Sequence, residues 1–182
     1  MADTKRTKTD LLTNLFQDGQ QNNSIDEQDI RDLISSFDMP HGGCYMEDNA
    51  TETTINTIDV YEAIAGTYTV DATLNDFTVS TAGLFTYDGT PDRYCLAIAT
   101  ITFETAASNK DIRFKWHHEG TTELQSCIEQ RIGTSTDKQS VMCIGRTTMS
   151  TTDTLQLKVT NSTDATNCTI VHASCFVKGL MV

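Results

Sequence analysis

From about residue 44 to its end, the sequence is a series of short segments separated by polar turns, and several of these segments alternate apolar and polar residues. DIRFKWHH is the clearest case, with Ile112, Phe114 and Trp116 on one side and polar residues, His117 among them, on the other. A period of two is the pattern of a β-strand with one buried face. The predicted strands are DFTVS, GLFTY, RYCLAIATITFE, DIRFKWHH, TELQSCIEQRI, QSVMCIGRTTM, DTLQLKVTN and NCTIVHASCFV. Their regular spacing predicts a mainly β protein, an antiparallel sandwich.

Two of the predicted strands, RYCLAIATITFE and NCTIVHASCFV, carry apolar residues on both faces. A two-layer sandwich buries only one face of each strand, so the second apolar face needs another partner. Another copy of the same chain, packed around a symmetry axis, is the simplest cover. The residues that we assign to this interface are Tyr94, Leu96, Ile98, Ile170, His172 and Phe176.

The first 40 residues follow a helical pattern instead. Residues 10–17 and 26–37 each carry an apolar stripe with the spacing of an α-helix. The capping residue of the second helix is Asp26 or, two residues earlier, Ser24 with Glu27 in a capping box. The stripe residues are Leu11, Leu12, Leu15 and Phe16 in the first helix and Ile30, Leu33, Ile34 and Phe37 in the second. Two helices this short are marginal in water, so we expect this surface to dock elsewhere.

The segment MPHGG follows the second helix, and its Pro40, Gly42 and Gly43 are typical of a hinge. We therefore divide the chain into an N-terminal helical segment, residues 1–40, and a β-sandwich domain, residues 41–182.

Charge and composition narrow the range of partners. The net charge is −12 and the sequence pI about 4.5, which disfavours a nucleic-acid partner. No apolar run has the length of a membrane span, and no signal peptide is recognisable, so we expect folding in a cytoplasm. In that compartment the six cysteines are expected to be reduced. Cys168 and Cys175 are an odd number of residues apart, which predicts that they lie on opposite faces of one strand.

No catalytic motif is recognisable, so the prediction is a protein that is not an enzyme and that needs no cofactor. WHHE is the best candidate for a metal site, but His117 and His118 on one strand point to opposite faces, and we predict none. His172 lies in an apolar setting on the last strand and is expected to be a core or interface histidine.

The order of these parts resembles tailed-bacteriophage virion proteins. The resemblance rests on LLTNLFQDG followed by SIDEQDIRDLISSF, on the Gly-rich segment, and on two stretches of the β-domain, TYTVDATLNDFTVSTAGLFTYDG and DTLQLKVTNSTDATNCTIVHASCFV. In that family a helical N-terminal segment docks into the particle and precedes a trimeric jelly-roll domain similar to the tumour-necrosis-factor (TNF) fold. The resemblance therefore implies a TNF-like jelly roll and a homotrimer.

The resemblance also implies a function. A short chain of this kind is expected to be a capsid decoration (cement) or head-fibre protein of the virion, assembled in the host cytoplasm. The stripe residues of the N-terminal helices would contact the major capsid protein or another virion protein. The alternative is a receptor-binding tail fibre or adhesin whose loops recognise host surface glycans, although these loops are poor in the Trp and Tyr rings that stack on sugars.

Overall fold

The computed structural model describes Ile30, Arg31, Leu33, Ile34, residues 37–120 and residues 122–180. These residues form thirteen β-strands. The strands are β1 (His41–Met46), β2 (Glu52–Thr53), β3 (Glu62–Ala63), β4 (Thr69–Val70), β5 (Phe77–Val79), β6 (Leu84–Tyr87), β7 (Arg93–Thr105), β8 (Lys110–His118), β9 (Thr122–Glu123), β10 (Ile128–Ile132), β11 (Gln139–Met149), β12 (Thr154–Asn161) and β13 (Cys168–Leu180).

The strands form two antiparallel sheets. Sheet 1 has the order β11-β7-β13-β1-β4, with β2 beside β13, and sheet 2 has the order β10-β8-β12-β6-β5, with β3 beside β12 and β9 beside β8. Apart from the step from β8 to β10, the successive long strands alternate between the sheets, which gives the four-strand layers β11-β7-β13-β1 and β10-β8-β12-β6. Eight strands in this arrangement form a jelly roll. The prediction of a mainly β antiparallel sandwich is confirmed.

The core lies between the two sheets and is built from the inward positions of the alternating strands. In β7 every second residue is buried, from Arg93 to Thr105. The rings of Phe103 in sheet 1 and Phe114 in sheet 2 pack edge to face with their centroids 4.9 Å apart. Phe85 and Trp116 pack in the same way at 6.0 Å. Aromatic side chains of this size remove a large apolar area from water and dominate the stability of a core.

His117 departs from the predicted alternation. It is 4% exposed, because the ring of Tyr61 lies over it at a centroid distance of 5.0 Å. The chain before β3 therefore covers part of the outer surface of sheet 2, and the polar side of DIRFKWHH is not uniformly in water.

The Gly-rich segment is a strand and not a hinge. Gly42 and Gly43 lie inside β1, which pairs with the last strand from His41↔Lys178 to Met46↔Ala173. Just before it, the Gly179 N–H donates to the Pro40 carbonyl at 2.8 Å. The hinge prediction is wrong because both glycines are required by close neighbours, as a Cβ on Gly42 would lie 3.0 Å from Phe77 and one on Gly43 would overlap the Asp71 carboxylate.

A β-bulge interrupts β13. Its partner strand β7 runs without a break, but the register moves from Ile170 to His172 and leaves Val171 as an extra residue. The bulge changes which residues face inward, so Cys168 and Cys175 are both buried. The prediction that they face opposite sides is wrong for this reason. They remain about 23 Å apart along one strand at the usual rise per residue.

Little of the N-terminal segment lies within the described residues. Ile30, Arg31, Leu33 and Ile34 have helical backbone, and the Phe37 N–H donates to the Ile34 carbonyl at 3.1 Å. The predicted first helix, with Leu11, Leu12, Leu15 and Phe16, lies outside the described residues, so the two helices stay a prediction. No helix in the described part has the length and apolar character needed to cross a membrane.

Candidate self-association face

The outer surfaces of the two sheets differ in chemistry. On sheet 2 the outward side chains are largely charged or amide-bearing, and several are paired: Arg113 forms ion pairs with Glu129 and Asp59, and Lys115 lies over the Tyr61 ring at 5.3 Å. Such a surface is stable in water. The outward side of sheet 1, which we call the outer face, carries most of the large exposed apolar side chains of the β-domain: Tyr45, Met142, Ile144 and Phe176.

Strand register arranges the outer face in rows that cross β1, β13, β7 and β11. The central row is Gly43, Phe176, Ile98 and Ile144. The row on one side of it is Tyr45, Ser174, Thr100 and Met142, and the row on the other side is His41, Lys178, Leu96 and Arg146. The apolar residues thus form one continuous stripe across the sheet. Exposed fractions of 54% for Met142 and 45% for Ile144 are high for side chains of this kind.

A shallow open depression of about 850 Å³ lies beside the central row, on the side of Tyr45 and Met142. It is bounded by Tyr45 on β1 and Met142 on β11, and the small side chains of Thr100, Thr102 and Ser174 form part of its floor. Because small residues lie between large ones, the surface is concave there and can receive a protruding side chain from a neighbouring molecule. His172, with Asp48 at 3.8 Å, lies at the edge of the depression.

Five of the six residues assigned to the interface from the sequence lie on this outer face. Tyr94, Leu96, Ile98 and His172 are half-buried there, and Phe176 is 39% exposed. Ile170 is not with them. It is fully buried in the core, because the bulge at Val171 turns it inward.

Three apolar residues of the outer face were not assigned from the sequence. Tyr45 was missed because its strand was interpreted as a hinge. Met142 and Ile144 alternate with Val141 and Cys143 in QSVMCIGRTTM, so this strand also has two apolar faces, and that signal could have identified them.

The side of sheet 1 that faces the core carries buried thiols directly behind the outer face. Burial raises the pKa of Cys95 and of Cys143 to about 12. The thiolate is the reactive form of cysteine, so these groups are poor nucleophiles at neutral pH. On the core side of this sheet these thiols therefore act as small packing groups.

One group of possible metal ligands occurs within the described ranges. Single ligand atoms of His118, Glu119 and Asp153 lie within 4.8 Å of one another. Their polar atoms already have protein partners: His118 Nε2 lies 3.0 Å from Asp153 Oδ2, the Ser150 N–H donates to the same oxygen, and the Thr154 N–H donates to Glu119 Oε1. These bonds join the ends of β8 and β12, which is a structural role. The prediction that the protein holds no metal remains a prediction.

No protein-family model matches this sequence, and no curated protein matches it. Among solved structures, the chain is similar to Eiger TNF from S. frugiperda, with 11% identity, a TM-score of 0.45 and coverage of 78% of this chain and 93% of that one. It is also similar to murine APRIL, with 11% identity, a TM-score of 0.48 and coverage of 76% and 98%. The globular domain of zebrafish complement 1qA protein has 13% identity, a TM-score of 0.39 and coverage of 79% and 97%. The jelly-roll assignment rests on the strand order of the two sheets.

Proposed function

We propose that this protein is a non-enzymatic structural component of a bacteriophage particle, a homotrimer that acts as a capsid decoration or head-fibre protein. The observation that supports the proposal most is the contrast between the two outer surfaces. Sheet 2 presents paired charges to water, whereas sheet 1 presents a continuous apolar stripe.

Self-association through the outer face explains that stripe. Burying apolar surface is favourable by roughly 25 cal/mol per Å², and Phe176, Ile144 and Met142 are each more than one third exposed in the single chain. The order of parts along the sequence resembles virion proteins whose jelly rolls are trimers, and this supports three copies as the number. A closed ring of identical chains buries the face on every copy.

The N-terminal segment supplies the proposed attachment to the particle. Ile30, Ile34 and Phe37 are 49%, 65% and 56% exposed, so the β-domain does not cover these three apolar side chains. The chain that follows is held to the domain, since the Asn75 side-chain amide donates to the Met39 carbonyl and the Gly179 N–H donates to the Pro40 carbonyl. The apolar side is thus presented close to the domain, where it can dock on a capsid protein.

Docking of this kind stabilises a shell because a protein that binds only the assembled form shifts the equilibrium toward assembly. The working location of the protein is then the virion, after assembly in the host cytoplasm.

The test is co-sedimentation of the purified full-length protein with phage particles assembled without it. We expect the wild-type protein and Ile58→Asp to sediment with the particles and Ile34→Asp to stay in the supernatant. Ile58 is the matched control, because it is 45% exposed and lies in the β-domain.

Two results would contradict this proposal. If Ile34→Asp sedimented with the particles as well as the control does, the N-terminal segment would not be the docking element. Binding of the wild-type protein to host cells and not to particles would favour the receptor-binding alternative.

A further inference from the structure

The two edges of the outer face carry opposite charges. Asp71 follows β4 at one edge of sheet 1, and Arg146 lies on β11 at the other edge. Both side chains are exposed, and neither forms an ion pair or side-chain hydrogen bond within the described part of the chain. Each charge is therefore available to a group on another molecule.

The Asp71 carboxylate lies over the outer face and not beside it. A Cβ built on Gly43 would lie 2.0 Å from Asp71 Oδ2 and 3.5 Å from the Phe176 ring. The Asp71 N–H donates to the Gly43 carbonyl at 3.0 Å, which fixes its height along the strands. The absence of a side chain at Gly43 thus makes room for a carboxylate at the end of the apolar stripe.

Asp71 and Arg146 lie in neighbouring rows of the outer face. Asp71 is level with the row that contains Gly43 and Ile144, and Arg146 belongs to the next row, about 7 Å further along the strands. A long arginine side chain spans that difference. In a ring whose axis runs along the strands, rotation leaves heights unchanged, so the β11 edge of one copy would meet the β4 edge of the next with these two groups one row apart.

We infer that Arg146 of each protomer forms an ion pair with Asp71 of the adjacent protomer, at the margin of the apolar contact. This inference rests on the proposed homotrimer. In that trimer the two charges would set the position of one chain against the next along the strands. Complementary charges at such a margin orient the partners and speed their encounter more than they add affinity. An arginine can also bind the two carboxylate oxygens together, which fixes the angle between the chains.

The test uses charge reversal in the full-length protein, with the dissociation constant of the oligomer measured by sedimentation across a dilution series. Arg146→Asp and Asp71→Arg each place like charges together, and we expect each to weaken assembly by at least about tenfold. The double variant restores opposite charges in the reversed order, and we expect its dissociation constant to return to within about threefold of the wild type. Circular dichroism confirms that each variant is folded.

Two control variants make the result specific. Arg131→Asp reverses an exposed cation on sheet 2, which pairs with Asp111, and is expected to leave assembly unchanged. Lys178→Asp reverses a cation of the outer face in the same row as Arg146, and it is expected not to rescue Asp71→Arg.

The inference and the proposed homotrimer fail in different ways. A wild-type protein that stays a single chain at all concentrations overturns both. A wild-type oligomer whose double variant is no tighter than the weaker single variant overturns the Arg146–Asp71 pair and leaves the trimer standing. Rescue of Asp71→Arg by Lys178→Asp would show that Lys178, and not Arg146, is the partner of Asp71, and it would overturn the Arg146–Asp71 pair as well.

Discussion

Gly145 occupies a position in β11 where no side chain fits. Its neighbour across the core is Trp116, and a Cβ at residue 145 would lie 2.9 Å from Cδ1 and 3.1 Å from Cβ and Cγ of that side chain. Trp116 is fully buried and its Nε1 donates to the Cys143 carbonyl at 3.4 Å, so it has little freedom to move away. The alternation of QSVMCIGRTTM predicts the strand, but a single sequence does not show that the core leaves no room at this residue.

We therefore expect Gly145→Ala to destabilise the folded chain by about 1–3 kcal/mol, the usual cost of an overpacked core. Chemical denaturation followed by tryptophan fluorescence measures the free energy of unfolding, since the chain has one Trp. Gly133→Ala is the control, because Gly133 has no atom within 4 Å of the added Cβ. Equal stability of the two variants would show that Trp116 is not held as tightly as the structure indicates.

One ion pair joins the loop after β12 to the start of β8. Lys110 binds the Asp164 carboxylate, and the Thr166 N–H donates to the other oxygen at 2.9 Å. These contacts lower the pKa of Asp164 to about 2, with the Lys110 hydrogen bond as the largest cause. A carboxyl group with a lowered pKa in the folded state stabilises that state above its unfolded pKa of about 4 and loses the effect as the pH falls through 2.

Replacing Lys110 with Gln is expected to reduce this pH dependence. The midpoint of urea unfolding, measured from pH 2 to pH 5, should rise less with pH in Lys110→Gln than in the wild type, and the difference should lie between about pH 2 and pH 4. Parallel curves for the two proteins would mean that Lys110 does not hold the Asp164 carboxylate. Lys138→Gln provides a control, since Lys138 lies in the turn before β11 and is exposed.

At the level of elements, the alternation of the sequence predicted the long strands well. QSVMCIGRTTM coincides with β11, and RYCLAIATITFE and DTLQLKVTN lie within one residue of β7 and β12 at each end. β1 was missed because its glycines are typical of a turn, whereas the structure needs them for the close approach of Phe77 and Asp71. The bulge at Val171 was missed because the strand is apolar on both faces. In such a strand the residue pattern does not show where the inward-facing positions change.

At the level of the whole molecule, the sequence and the structure identify the same apolar surface by different routes. The sequence indicates it through strands that are apolar on both sides, and the structure through the exposure of Tyr45, Phe176, Met142 and Ile144 on one sheet. Only the folded chain reveals that Ile170 belongs to the core and that Asp71 lies over Gly43. The acidic chain, with its net charge of −12, repels its copies at long range, so the proposed association through the outer face has to outweigh that repulsion.

The most direct test of the account is the molar mass of the full-length protein by light scattering, compared with Phe176→Asp and with the control Ile58→Asp. Phe176 lies in the central row of the outer face and points away from the core, so a charge there leaves the fold intact and opposes association. We predict about 60 kDa, three chains of 20.1 kDa, for the wild type and the control, and 20.1 kDa for Phe176→Asp. A wild-type mass of one chain, or a Phe176→Asp variant that remains a trimer, would contradict the claim that this protein assembles through the outer face.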